Sequence, residues 1–444
     1  MKKVLALLLV FILAIASLSA CNNGGKNDPA EEKPIDELGD ISLTLWIGYP
    51  EFDSWLAKMG EEYHKLHPNV TVTSTSFNLR DFETKLSVSV PAKTAADIVS
   101  IDPAWFTNFV NSGYAQKAPQ NVIDFLDSGI FDKAPLDYSK GADGVYYAVP
   151  SLQSAGGIYY NKDYWAEAGL TDADAPKSLS DIVALSKKLA KFDDAGNLVR
   201  SGVSLRVAGG GSGICEKFWM WEMQEGGSIV KEVGNGKYVP NYNNDAGFNT
   251  LKMYVDILWG DKTCNYDIGS DSSGFEAGVT AMFMREQWVI PDIAANSPDL
   301  NYGVWPTWNA SLYQSNNYFV LIDPKETAKS RVAWDFLLFI VGSKEYQTQQ
   351  ATMSGWLSAR NDCGFEGVPQ EIMNGFSTAG KTVHAYPQLG CYDEIQTKLA
   401  ERFSNVGFNS PDFFGNDAKI HAFLDECEAE TISILKENGV YGGN

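Results

Sequence analysis

The sequence predicts an α/β protein built on a mostly parallel sheet. Two observations carry this. The first strand and helix patterns alternate in the order β-α-β-α-β-α, which calls for parallel strands with helices laid on the sheet. The third strand pattern, residues 97–101 (DIVSI), is a short, mostly apolar run of the kind found in buried parallel strands.

The elements justify themselves in order. Residues 42–47 (SLTLWI) read as a strand. Trp55, Leu56, Met59, Tyr63 and Leu66 recur at helical spacing, and Pro68 stops that helix. Residues 70–75 alternate as a strand, 82–90 read as a helix, and a helix over 105–111 ends at Gly113. Residues 146–149 and 158–160 read as two further strands. Ser178, followed three residues later by Asp181, resembles a capping box opening a helix over 179–191. A strand over 203–207, helices over 216–224 and 245–259, and strands over 279–284 and 302–305 follow. Residues 331–341 (RVAWDFLLFIV) form a helix apolar on nearly every face, which predicts burial. Residues 392–436 read as largely helical.

Length and charge narrow the function. The 444 residues suit two large domains or three smaller ones. With 35 Lys and Arg against 56 Asp and Glu, the net charge of −21 argues against a protein that tracks nucleic-acid phosphates. Lys2 and Lys3 precede an apolar run over 4–16, too short to span a bilayer comfortably and ordered like a secretory signal. That segment ends Leu18-Ser19-Ala20-Cys21, which resembles the bacterial lipoprotein signal: cleavage after residue 20 and lipid on the Cys21 thiol. Residues 22–39 carry Gly-Gly, Pro and several acids with few apolar side chains, the composition of a flexible tether. Cys215, Cys264, Cys363, Cys391 and Cys427 remain; an odd number leaves at least one unpaired, and they read mainly as small buried apolar residues, with one disulfide left open.

No nucleophile elbow, phosphate loop, dinucleotide fingerprint or zinc spacing is present, so no catalytic residue, cofactor or metal is expected. The run Gly209-Gly210-Gly211-Ser212-Gly213 lacks the Lys-Ser/Thr of a phosphate loop and reads as a flexible loop. His64 and His67 read as a solvated helix end. The stronger signal is a set of aromatic and polar residues at strand ends, where α/β sheets hold ligands. Trp46, Tyr49 and Glu51 lie at or just after the first strand, Asp102 and Trp105 after the third, Gln153 and Ser154 after Val149-Pro150, and Trp288 after the strand over 279–284. Aromatic faces pack on the C–H faces of sugar rings while carboxylates and amides pair with hydroxyls.

Four stretches together resemble the bacterial extracellular solute-binding proteins of the carbohydrate-importer class, the group that includes maltose-binding protein. They are residues 63–72 (YHKLHPNVTV), 144–169 (GVYYAVPSLQSAGGIYYNKDYWAEAG), 275–288 (FEAGVTAMFMREQW) and 332–339 followed by 356–360 (WLSAR). Two departures stand out. Arg285-Glu286-Gln287 replaces a Gly-containing approach to the Trp, and Trp356-Leu357-Ser358 replaces a small residue and Pro.

The resemblance implies two α/β lobes of discontinuous sequence with ligand in the cleft between them: 40–148 plus 306–355, and 149–305 plus 356–444. Crossings are expected near 148–150, 304–306 and 354–357. It implies a monomeric, lipid-anchored protein that captures a carbohydrate outside the cytoplasm for a membrane permease driven by a separate ATPase. Matched motifs make Trp288 the first expected sugar platform, followed by Asp102, Trp105, Tyr49, Glu51, Gln153 and Ser154. Trp219 follows the glycine loop, where the second lobe commonly offers an aromatic, and Trp356, Arg360, Tyr386 and Tyr392 complete the set. A polyamine-type solute and a secreted glycan-degrading enzyme are the alternative readings.

Overall fold

The computed structural model describes residues 33–443 apart from 103, 104, 106–108, 111, 112, 142, 210, 268–270, 379 and 388. The secretory segment, Cys21 and most of the tether lie outside the described residues, as does most of the helix expected over 105–111. The tether is shorter than expected. Ile35–Glu37 form a 3₁₀ turn with Ile35 buried, and the Asn69 side chain donates to the carbonyls of Ile35 and Gly39 at 2.8 and 2.9 Å. Arg331, donating to the Lys33 carbonyl, and His67, bonded to the Asp36 carboxylate at 2.7 Å, also hold this segment.

Strand β1 (Ile41–Ile47) buries Leu43, Leu45 and Ile47 on one face, the period of two that a half-covered strand needs. Helix α1 (Asp53–Leu66) follows, burying Trp55, Leu56, Met59 and Tyr63, and ends at His67 before Pro68. Strand β2 (Val70–Ser76) runs parallel to β1, with Ile41 opposite Val70; helix α2 (Leu79–Ser89) and strand β3 (Ile98–Ile101), also parallel to β1, complete the opening.

The two strands expected over 146–149 and 158–160 are ends of one 14-residue strand, β4 (Ala148–Asn161). Its first half pairs antiparallel with β7 (Ala310–Val320), its second half with β5 (Met282–Glu286) and β6 (Tyr302–Pro306). The changeover falls at Gly156-Gly157. A Cβ at Gly157 would sit 2.6 Å from Val304 Cγ1, 2.9 Å from Phe376 Cε1 and 3.1 Å from the Gly375 carbonyl, so the crowding at this position favours glycine.

Between these strands lie α3 (Leu179–Leu189), α4 (Gly213–Glu222) and α5 (Asp245–Val255) before β5, and α6 (Val289–Asn296) after it. Helix α3 stops two residues earlier than expected because Lys191 begins a short strand. Its Ser178 cap accepts from Asp181 N as expected, while the Asp181 carboxylate reaches Lys177 N. No strand forms over 203–207: the chain makes single bridges, Ser201 to Thr280 and Ser204 to Phe283. After β7 come α7 (Thr327–Gly342), α8 (Lys344–Ser354), the short strand β8 (Leu357–Ser358), β9 (Thr382–Ala385), α9 (Tyr392–Arg402) and α10 (Asp417–Glu437). Along the sheet the order is β6-β4-β7-β3-β1-β2.

The fold is two-lobed. One body of core packs around α3, α4, α5, α9 and α10, and another around β1–β3, α1 and α7. The helix expected over 331–341 is buried at Val332, Ala333, Trp334, Phe336, Leu337, Ile340 and Val341. Cys215, Cys264, Cys363, Cys391 and Cys427 are all unbonded, so the disulfide left open does not form. Among the described residues no helix is long and apolar enough to cross a membrane, and no group of His, Cys, Asp or Glu is arranged to hold a metal.

Candidate functional site

A cleft of about 420 Å³ opens at the ends of the parallel strands. The turn after β1 supplies Tyr49, Pro50 and Glu51; the entrance to α2 supplies Asn78, Leu79 and Glu83; the chain after β3 supplies Asp102 and Trp105. Facing them are Arg206, Ser212, Glu216 on α4, Arg285 and Glu286 at the end of β5, and Trp288 capping α6. Gln314 of β7, Trp356, Tyr386, and Tyr392, Asp393 and Gln396 of α9 close the ring.

Eight residues singled out from the sequence therefore line one cavity: Tyr49, Glu51, Asp102, Trp105, Trp288, Trp356, Tyr386 and Tyr392. Trp288 is half-buried and its indole Nε1 donates to Glu286 Oε2 at 3.1 Å. The ring of Trp356 meets that of Tyr49 edge-on at 5.2 Å between centroids. Gly355, at φ 74°, permits this corner: a Cβ there would lie 2.9 Å from Trp288 Cα, so the turn after α8 can pass Trp288 only with a glycine.

Five expected residues are elsewhere. Trp219 is 2 % exposed and sits in the core behind Tyr386 and Tyr392, because α4 is buried on nearly every face. Trp46 packs on Phe77 at 5.7 Å, with the Lys85 ammonium 4.3 Å above its ring. Gln153 is spent on the crossing strands: its Nε2 donates to Ser358 O at 3.0 Å and its carbonyl accepts from Gln287 Nε2 at 3.0 Å. Ser154 is buried one layer behind the cleft, donating to Gln314 Oε1 at 3.3 Å. Arg360 caps α7, donating to the carbonyls of Val341 and Gly342 and gripping Asp362 with two bonds of 2.9 Å.

Beneath the cleft lies an ion network that the sequence reading did not name as site residues. Lys217, 3 % exposed, places Nζ 2.5 Å from Glu286 Oε1 and 2.9 Å from Glu216 Oε1. Arg285 approaches Asp271 at 3.3 Å, Glu286 at 3.6 Å and Glu216 at 3.9 Å; Arg206 reaches Asp271 at 3.7 Å. Burial alone would raise the pKa of Glu216 and Glu286, but the Lys217 and Arg285 charges outweigh it, and both carboxyls are held below their ordinary value. Tyr386 donates its phenol to Glu216, and Gln314 Nε2 reaches both, Glu216 at 3.2 Å and Tyr386 at 2.7 Å. Burial, with the Asp292 charge adding to it, raises Glu51. The signal for this network was the departure at Arg285-Glu286-Gln287. Gln287 proves structural, bonding Ala155 N and the Gln153 carbonyl, while Arg285 and Glu286 face the cleft.

Aromatic walls over a polar, ionised floor can stack a ring and pair its hydroxyls. Comparison with known proteins agrees in kind. Residues 58–366 match the family described as bacterial extracellular solute-binding protein. The arabinooligosaccharide-binding protein of Halalkalibacterium halodurans is 23 % identical over 71 % of both chains. The diacetylchitobiose binding protein of Streptomyces coelicolor is 23 % identical over 66 % of both. Among solved structures, an ABC substrate-binding protein of Listeria monocytogenes in complex with cycloalternan superposes with a TM-score of 0.72 at 19 % identity, covering 91 % of this chain and all of its own.

Proposed function

The chain belongs to the bacterial extracellular solute-binding protein family, and from that premise we propose that it reversibly captures a carbohydrate, an oligosaccharide, in this cleft. The observation that carries the reading is Trp288: a half-buried indole on the cleft wall, pinned through its nitrogen to Glu286 and set among groups suited to hydroxyls. Tyr49 and Trp105, both partly exposed, add aromatic surface for more than one ring, with the buried Trp356 packed behind Tyr49. The sugar names carried by the relatives support the same substrate class.

In this reading the lobes, 40–148 plus 306–355 and 149–305 plus 356–444, hinge about the crossing strands, and ligand shifts an open–closed equilibrium. The closed form hands its cargo to a membrane permease powered by a separate ATPase. The protein works as a monomer on the outer face of the membrane, tethered by lipid on Cys21, and catalyses nothing.

A thermal-shift screen of oligosaccharides, polyols and polyamines tests this. Stabilisation by oligosaccharides is the expected result. A cationic solute such as a polyamine is the second reading, favoured by Glu51, Glu83, Asp102 and Asp393 in the cleft lining; stabilisation by polyamines alone would overturn the carbohydrate reading.

A further inference from the structure

A second cavity, of about 500 Å³, adjoins the cleft, and the two share Trp105, Tyr392 and Asp393 as a common wall. Its lining differs in kind. Among the described residues, Leu86, Val90, Pro91, Phe109 and Tyr114 come from the body built on β1–β3, and Leu389 from the chain just before α9. Leu86, Val90 and Phe109 belong to a closed core cluster against which Trp105 and Tyr114 pack, so the accessible apolar surface of the chamber comes from Pro91, Trp105 and Tyr114 laid over that core. The ion network of the main cleft does not extend into it: Arg206, Glu216, Arg285 and Glu286 line the cleft alone. The carboxylates in the chamber lining, Asp393 and Glu394, both belong to the first turn of α9.

A pyranose entering this chamber would strip water from several hydroxyls and meet mostly carbon, which costs free energy for every hydroxyl left without a partner. A flat apolar group has no hydroxyls to strip and removes apolar surface from water. We propose that the ligand is a glycoside: its sugar lies in the main cleft and an apolar aglycone, aryl or short alkyl, passes Trp105 into this chamber. The inference rests on the carbohydrate reading above and adds the second half of the ligand.

Matched pairs test it by calorimetry: cellobiose, maltose and diacetylchitobiose, each against its 4-nitrophenyl glycoside and against the corresponding trisaccharide. The aryl glycoside of the preferred sugar is expected to bind at least about 10-fold tighter than the parent disaccharide, or about 1.4 kcal/mol. Ser87 lies exposed at the chamber wall, so Ser87→Trp fills the space from a position that tolerates change, and is expected to bring that ratio to about one. Equal affinity for aryl glycoside and parent would overturn the aglycone while leaving the carbohydrate reading intact. So would a gain from the third sugar as large as the aryl gain, or an aryl gain that survives Ser87→Trp. Binding by no member of any pair would overturn the aglycone, and the carbohydrate reading falls with it only if the thermal-shift screen finds no stabilising sugar.

Discussion

The guanidinium of Arg285 lies 4.9 Å from the centroid of the Trp288 ring, at the distance of a cation–π contact. One side of the indole is thus met by the protein's own cation, and the nitrogen is tied to Glu286. Arg285 is in turn held among Glu286, Asp271 and Glu216, so the orientation of the candidate platform is set by the ion network below it.

Lys217 should be the keystone of that network. Lys217→Met leaves Glu216 and Glu286 buried with less compensating charge, and breaking a buried pair from one side costs about 3–5 kcal/mol. Denaturant unfolding of the variant should show a loss of that size. A variant as stable as the parent would mean the network is solvated and does not brace the site.

Glu222 gives a pH dependence of known sign. It is fully buried, neither carboxylate oxygen has a hydrogen-bond partner, and burial holds its pKa well above the ordinary 4.5. Below 4.5 both folded and unfolded chains carry the proton and the contribution is complete; above it the unfolded chain releases a proton that the folded chain keeps. Stability therefore falls as pH rises toward the folded pKa, by up to about 1.4 kcal/mol per pH unit. Glu222→Gln should lose less melting temperature than the parent between about pH 5 and about pH 8. Parallel curves for the two proteins would contradict this.

Trp219 and Arg360 should act on stability rather than on binding. Trp219→Ala empties a core site and should cost about 3–5 kcal/mol of folding free energy. Arg360→Ala removes charged hydrogen bonds to the end of α7 and should cost about 2–3 kcal/mol. Calorimetric affinity of Arg360→Ala, measured below its melting temperature, should stay within about twofold of the parent. A tenfold loss of affinity in Arg360→Ala would place that residue in the site after all.

Periodicity was enough to read the lobe that begins with β1, because Leu43, Leu45 and Ile47 alternate and Trp55, Met59 and Tyr63 mark one helix face. It failed at the crossing. Strand β7, for which no strand was expected, carries the polar run Gln314, Ser315, Asn316 and Asn317 in its middle, which breaks the apolar alternation a strand is read from. Those side chains are used inside the sheet: Asn316 accepts from Ser100 at 2.8 Å and Asn317 donates to the Tyr138 carbonyl at 3.0 Å. The same limit applied to the cleft. Strand ends pointed to Tyr49, Asp102, Trp105 and Trp288, but nothing local separates Trp219, on a helix buried all round, from a residue facing a ligand. Lys217 and Glu216 pair with residues about 70 positions away, which no window along the chain reveals.

Trp288 tests the central claim most directly. An oligosaccharide that stabilises the parent protein is titrated calorimetrically into the parent and into Trp288→Ala, and melting temperature is measured on the same samples. If the indole is the platform on which a sugar ring packs, affinity should fall by about 2–4 kcal/mol, roughly 30- to 1,000-fold, while the melting temperature changes little. Unchanged affinity with a collapsed melting temperature would make Trp288 a core residue and would contradict sugar capture at this cleft wall.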